Sequence, residues 1–130
     1  MARRVPKVLI FEDDSLTAYA NKTTLESDGY KIIGIANEAV SGLLLAEFDH
    51  PDIALVDVDI DGTIDGITVA RALRDAYGTR IVFLTAQPGR VLSEGVDLHR
   101  FGLIGKPYNG QTLLETMRET LSYKLPDRAA

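Results

Sequence analysis

Apolar residues in this chain come in five short, unbroken runs, and that pattern limits the fold more than any other feature. The runs are Val8-Leu9-Ile10-Phe11, Ile32-Ile33-Gly34-Ile35-Ala36, Ile53-Ala54-Leu55-Val56, Ile81-Val82-Phe83-Leu84 and Phe101-Gly102-Leu103-Ile104. A half-exposed strand alternates apolar with polar residues. Continuous runs mark strands covered on both faces, the situation of a parallel sheet. Between them lie helix signals. Ser15 is placed to cap a helix running to Asp28, with Gly29 as its stop. Asn37 opens a second, Glu38 to Phe48, with Leu43, Leu44 and Leu45 in its middle and Pro51 beyond its end. A third runs from about Ile67 to Tyr77, with Val69, Ala70, Leu73 and Tyr77 on one face and Gly78 after it. The fourth, Val91 to Leu98, is weak because Pro88, Gly89 and Gly95 crowd it. Asn109 caps the last, Gln111 to about Lys124, with Leu113, Leu114, Met117 and Leu121 on its buried stripe.

Five strand-helix units predict a doubly wound α/β domain with a five-stranded parallel sheet in flavodoxin-like order 2-1-3-4-5 and helices on both faces. The 130 residues show no repeat, low-complexity tract or linker, so one domain is expected over 1-130, with its core at about 6-124. A net charge of −5, with no basic run beyond Arg3-Arg4, argues against direct nucleic-acid binding, which needs clustered cations. Without cysteine there is no disulfide framework, thiolate metal site or thiol catalysis. No apolar stretch approaches a membrane span and no secretory leader is visible, so a cytoplasmic protein is expected.

In such a fold, function gathers just beyond the carboxyl ends of the strands. Those positions hold Glu12-Asp13-Asp14 after the first run, Asp57 after the third, Thr85 after the fourth and Lys106 after the fifth. The stretch after the third run, Asp57-Val58-Asp59-Ile60-Asp61-Gly62-Thr63-Ile64-Asp65-Gly66, suits three chemistries. From Asp57 it resembles a calcium loop, but position twelve is Thr68 where a bidentate Glu is needed. From Asp59, the string Asp59-Ile60-Asp61-Gly62-Thr63-Ile64 resembles the first motif of the haloacid dehalogenase superfamily, with Asp59 as nucleophile and Asp61 as general acid. That superfamily also needs an acidic pair after its lysine, and none follows Lys106.

The third chemistry uses every strand end. Glu12, Asp13 and Asp57 meet if the first and third strands are neighbours. Three clustered carboxylates repel and raise one another's pKa unless a hard cation joins them, and Mg2+ suits such an oxygen set. Thr85 and Lys106 can then neutralise the oxygens of a phosphoryl group passing to Asp57. With Val8-Leu9-Ile10-Phe11-Glu12-Asp13-Asp14, Pro51-Asp52-Ile53-Ala54-Leu55-Val56-Asp57, Phe83-Leu84-Thr85-Ala86 and Gly105-Lys106-Pro107 in order and at spacing, the sequence resembles a response regulator receiver domain of two-component signalling, over essentially its whole length.

The resemblance implies a phospho-accepting switch. Asp57 accepts a phosphoryl group from a histidine kinase or histidine phosphotransfer protein. Asp13 ligates Mg2+ directly, Glu12 acts through water, and Asp59 offers its backbone carbonyl. Thr85 and Lys106 bind phosphoryl oxygens, with a cis bond between Lys106 and Pro107, and Asp59 and Gln87 flank the path of the attacking water. The domain would assist its own phosphorylation and dephosphorylation without being an enzyme otherwise. Many receivers carry an aromatic three residues before the lysine, and here that position is Leu103, with Phe101 two residues earlier. Movement on activation is therefore expected in the Thr85 hydroxyl and the 85-98 region. The loop after Asp57 is one residue longer than in many receivers. With only Pro126-Asp127-Arg128 after the last helix, a stand-alone receiver acting on a protein output partner is expected, with a piece cut from a longer regulator as the alternative, and a receiver-shaped binding module that is never phosphorylated is the competing class. Asp14 and Ser15 read as helix caps, Asp61 and Asp65 as solvated loop residues, Tyr108 as packing, and His50 and His99 as surface or satisfied residues.

Overall fold

A computed structural model describes residues 5–60, 64–96 and 101–122 of the chain. Five strands alternate with five helices: β1 Lys7–Phe11, α1 Ser15–Ser27, β2 Lys31–Ala36, α2 Ala39–Phe48, β3 Ile53–Asp57, α3 Gly66–Tyr77, β4 Arg80–Thr85, α4 Pro88–Ser93, β5 Phe101–Gly105 and α5 Gly110–Ser122. The strands pair in parallel in the order β2-β1-β3-β4-β5. This is the flavodoxin-like arrangement expected from the apolar runs.

The reason those runs are continuous is visible in the packing. Leu9, Phe11, Ala54, Val56, Ile81 and Phe83 enter one core, which also takes Ala46 of α2, Leu73 of α3 and Val91 of α4. Their neighbours Val8, Ile10, Ile53, Leu55, Val82 and Leu84 enter a second core with Leu25 of α1 and Leu113 and Met117 of α5. Successive strand residues point to opposite faces, and both faces are dry, so the four-residue runs through the sheet centre carry no polar side chain. Every residue of β3, the central strand, is buried.

Helix boundaries show where local chemistry overrides simple reading. The N-cap of α1 is Asp14, whose Oδ1 accepts from the Leu16 and Thr17 N–H groups, and Ser15 is the first helical residue. Helix α2 starts after Glu38, which makes no side-chain cap, so Asn37 does not serve as its cap. Asp65 is a cap rather than a merely solvated residue, with Oδ1 accepting from the Thr68 N–H at 2.8 Å. Gly78 ends α3 in the left-handed conformation. Asn109 takes the Thr112 N–H at 2.9 Å, as a cap should. The fourth helix lies earlier than Val91 to Leu98: it begins at Pro88, the first-turn position where proline's missing N–H costs nothing, and closes by Ser93 before Gly95 at φ +78°. Arg3-Arg4, Asp61, Leu98, His99, Lys124 and Pro126-Asp127-Arg128 lie outside the described residues. His50 stacks on Tyr77 at 4.1 Å between ring centroids. Among the described residues, no helix is long and apolar enough to cross a membrane.

Among the glycines that mark close approaches, two set how helices seat against the sheet. A Cβ on Gly42 would lie 2.0 Å from Phe11 Cε1, so α2 seats against β1 only because that position is bare. A Cβ on Gly66 would lie 2.8 Å from the Asp57 carbonyl oxygen, so α3 begins hard against the end of β3. Gly89 in α4, by contrast, faces open space. Gly42→Ala is therefore expected to destabilise the fold by about 1–3 kcal/mol through overpacking, despite alanine's better helix propensity. Gly89→Ala should be neutral or stabilising, by up to about 1 kcal/mol. Urea denaturation of both variants measures the contrast, and equal effects would contradict it.

Candidate functional site

Parallel strands deliver their last residues to one edge of the sheet, and here that edge is chemically unusual. Asp57 is the last residue of β3 and Thr85 the last of β4, while Glu12 and Lys106 are the first residues beyond β1 and β5. Backbone hydrogen bonds hold these ends in register. The Glu12 N–H donates to the Ala36 carbonyl at 2.9 Å, the Val58 N–H to Leu84 at 2.9 Å and the Lys106 N–H to Thr85 at 2.8 Å. The Lys106-Pro107 peptide bond is cis, as expected.

The Asp57 side chain is 4% exposed and fully engaged. Its Oδ2 takes the Lys106 ammonium at 3.0 Å, and its Oδ1 takes the Asp59 N–H at 2.9 Å. A charge-assisted bond to each oxygen fixes the carboxylate plane. Burial opposes the Lys106 charge, yet the hydrogen bond and charge of Asp57 outweigh it and hold the ammonium above the ordinary lysine value. Thr85 is buried, and its Oγ1 accepts the Gln87 N–H at 2.9 Å.

Glu12, Asp13 and Asp57 each offer a carboxylate oxygen within 4.8 Å of the others. Glu12 is 2% exposed, its Oε2 takes the Asp14 N–H at 3.2 Å, and its Oε1 is buried without a hydrogen-bond partner. Burial first, then the Asp57 carboxylate beside it, push the Glu12 carboxyl from 4.5 up to about 7. A hard cation would supply what Oε1 lacks, and exposed Asp13 at the rim offers a ligand toward solvent. The donor set fits Mg2+ or a similar ion.

Of the residues singled out from sequence, Glu12, Asp13, Asp57, Thr85 and Lys106 thus converge on one edge. Pro107 follows Lys106 in the cis bond, and Gln87 stands one turn from Thr85 at the N-cap of α4. Asp59 is reached through its N–H, and its carboxylate is 47% exposed and paired with Arg90 Nη1 at 3.2 Å. Leu103 is half-buried, and Phe101 stacks on Phe83 at 5.6 Å, which leaves no aromatic at the position three before the lysine. Sequence reasoning missed two contacts. Tyr108 does pack against the second core, but its hydroxyl also exchanges hydrogen bonds with Asn21 at 2.9 and 3.1 Å. Arg90 was not singled out either, since 31 residues separate it from Asp59 and only the tertiary fold joins them.

The sequence profile described as "Response regulator receiver domain" matches residues 8–118. The chain is similar to the transcriptional regulatory protein CseB of Streptomyces coelicolor, 31% identical over 115 residues that cover 88% of this chain and 48% of that protein. It is likewise similar to the transcriptional regulatory protein PdtaR of Mycobacterium tuberculosis, 31% identical over 117 residues, 89% of this chain and 57% of that one. The chain spans about half the length of these curated relatives. The signal receiver domain of a modulated diguanylate cyclase from Desulfovibrio desulfuricans G20 superposes with a TM-score of 0.81 at 31% identity, over 91% of this chain and 94% of that chain. The response regulator REC domain of PhyR from Erythrobacter litoralis gives 0.85 at 23% identity over 97% of both chains, a likeness of fold.

The raised Glu12 carboxyl has a consequence for stability. Between pH 4.5 and about 7 the folded chain holds a proton on Glu12 that the unfolded chain releases. Stability in metal-free buffer should therefore fall as pH rises through that window, by up to about 3 kcal/mol. Glu12→Gln carries no titrating group there and should flatten the decline. Urea midpoints at several pH values between 4.5 and 8, for both proteins, measure this.

Proposed function

Because the chain belongs to the response regulator receiver domain family of two-component signalling, we propose that it is a phospho-accepting switch in which Asp57 takes a phosphoryl group from a histidine kinase or a histidine phosphotransfer protein. The observation that carries this reading is the state of Asp57. Among the described residues it is the one carboxylate at the strand-end edge that is buried, aimed by a backbone N–H and bonded to an ammonium, that of Lys106 just beyond β5. A buried, pre-aimed carboxylate is a nucleophile without a solvent shell to shed.

Transfer would run as an in-line displacement. An Asp57 oxygen forms a bond to phosphorus as the phosphorus–nitrogen bond of the donor's phosphohistidine breaks, its electron pair returning to the imidazole nitrogen. The product is an acyl phosphate on Asp57. Lys106, already on Oδ2, follows the charge from the carboxylate to the phosphoryl oxygens. Thr85 can rotate its hydroxyl toward a phosphoryl oxygen, giving up the Gln87 N–H as it does so. Receiver domains generally bind Mg2+, and Glu12, Asp13 and Asp57 could hold one, with the Asp59 carbonyl as a further ligand. When bound there, such an ion would supply positive charge against the repulsion between these carboxylates and an incoming phosphoryl dianion.

The readout is proposed to be a change in the 85-98 region that alters contacts with a protein partner in the cytoplasm. Support comes from α4, a helix of one and a half turns that starts from the Gln87 N-cap held by Thr85. With Leu103 in the aromatic's usual place, this backbone link is the direct connection from Thr85 to α4. The domain is a signalling module, and the proposed catalysis is limited to its own phosphorylation and dephosphorylation.

Two measurements test the reading. Free Mg2+ at 100 times its Kd should stabilise the folded chain by about 2.7 kcal/mol. Asp13→Asn should lose most of that gain, and a thermal melt indifferent to saturating Mg2+ would count against the site. With acetyl phosphate and Mg2+, intact-mass spectrometry should show one added phosphoryl group on the wild type and on Asp59→Asn, and none on Asp57→Asn. A nucleophilic Asp59, as in the haloacid dehalogenase reading, demands the reverse pattern, and a never-phosphorylated binding module demands no label on any of the three.

A further inference from the structure

The side chain of Asp59 stands at the mouth of the site, and what holds it there is an arginine from another element. Arg90 Nη1 donates to Asp59 Oδ1 at 3.2 Å. Arg90 is itself fixed by the same elements that build the site. Its N–H donates to the Gln87 carbonyl at 3.0 Å, and the Gln87 N–H donates to Thr85 Oγ1. At the far end of α4, Arg71 Nη2 from α3 donates to the Glu94 carbonyl at 2.9 Å, which pins the short helix. The contacts close a ring: Asp57 to Asp59 by an N–H, Asp59 to Arg90 by the ion pair, Arg90 to Gln87 and Thr85 through backbone, and Thr85 to Lys106 and back to Asp57.

We propose that Arg90 is a positioning residue that sets the lifetime of the phosphoryl group on Asp57 by holding the Asp59 carboxylate out of the path of the attacking water. The inference rests on Asp57 being the phosphoacceptor. In hydrolysis, the oxygen of a water bonds to phosphorus as the phosphorus–oxygen bond to Asp57 breaks. Asp57 leaves as a carboxylate, and the water's proton passes to the released phosphate or to bulk solvent. A free carboxylate two residues from Asp57 can accept a hydrogen bond from that water and orient it. Paired with Arg90, the same carboxylate has its charge offset and one oxygen occupied.

The pair is half exposed, so the effect is modest. The chain is loaded with acetyl phosphate and Mg2+, the donor is removed, and loss of the phosphoryl mass is followed over time. Arg90→Gln should lose the label roughly two- to fivefold faster than wild type, the size an exposed ion pair allows. Arg90→Lys, which keeps the charge, should fall back toward wild type. In the Asp59→Asn background, Arg90→Gln should make no difference. Equal decay of Arg90→Gln and wild type overturns the proposal. So does the same acceleration in the Asp59→Asn background, because Arg90 then acts on the phosphoryl group or on nearby Asp65. If the wild type takes no label, the assignment of Asp57 fails first, and this inference with it.

Discussion

Two acidic side chains, Glu12 and Asp57, are brought to adjacent strand ends and taken out of water together, and most of the site's arrangement answers that fact. Buried like charges are tolerated only if a proton, a counter-charge or a metal offsets one of them. All three are at hand. Lys106 offsets Asp57, a proton can sit on Glu12 up to about pH 7, and exposed Asp13 joins Glu12 and Asp57 in a set of carboxylates that could hold a cation instead. Protonation and metal binding at Glu12 would thus be alternatives, and the choice would set the charge at this edge of the sheet.

The geometry that enforces this crowding comes from the core, not from the site. Leu9 and Phe11 on one side, and Val8 and Ile10 on the other, leave β1 no freedom to slide against β3. Gly42 and Gly66 then let α2 and α3 close on the strands without a Cβ in the way. The acidic cluster is held against its own repulsion by two apolar layers that never touch the chemistry.

Much of this was legible in the sequence because it depends on period and position. Unbroken apolar runs imply two covered faces, and a parallel sheet places Glu12, Asp57, Thr85 and Lys106 at one edge whatever the loops do. The individual roles at that edge are what the motif resemblance implies. What was not legible depended on single side chains reaching across the fold. Arg90 meeting Asp59, Tyr108 meeting Asn21, and Asp14 rather than Ser15 capping α1 are choices among several local partners, and spacing does not rank them. The fourth helix lies earlier than expected for a related reason: proline and glycine break a helix in its interior, whereas Pro88 at a first turn starts one.

The pairing of β1 with β2 contains a slip between Val8 and Leu9, so that six residues of β2 run alongside five of β1. Val8 faces Ile32 and Leu9 faces Gly34, which leaves Ile33 as the unmatched residue. Beyond the slip, Ala36 comes level with Phe11 and its carbonyl receives the Glu12 N–H. The strand therefore has a seam with respect to changes of length. Shortening it at Ile33 would leave every later partner where it is, at the loss of one side chain's packing. A one-residue deletion just past the seam would use up the same spare residue, shifting the residues between Ile33 and the deletion by one place and so turning their side chains to the opposite face of the strand.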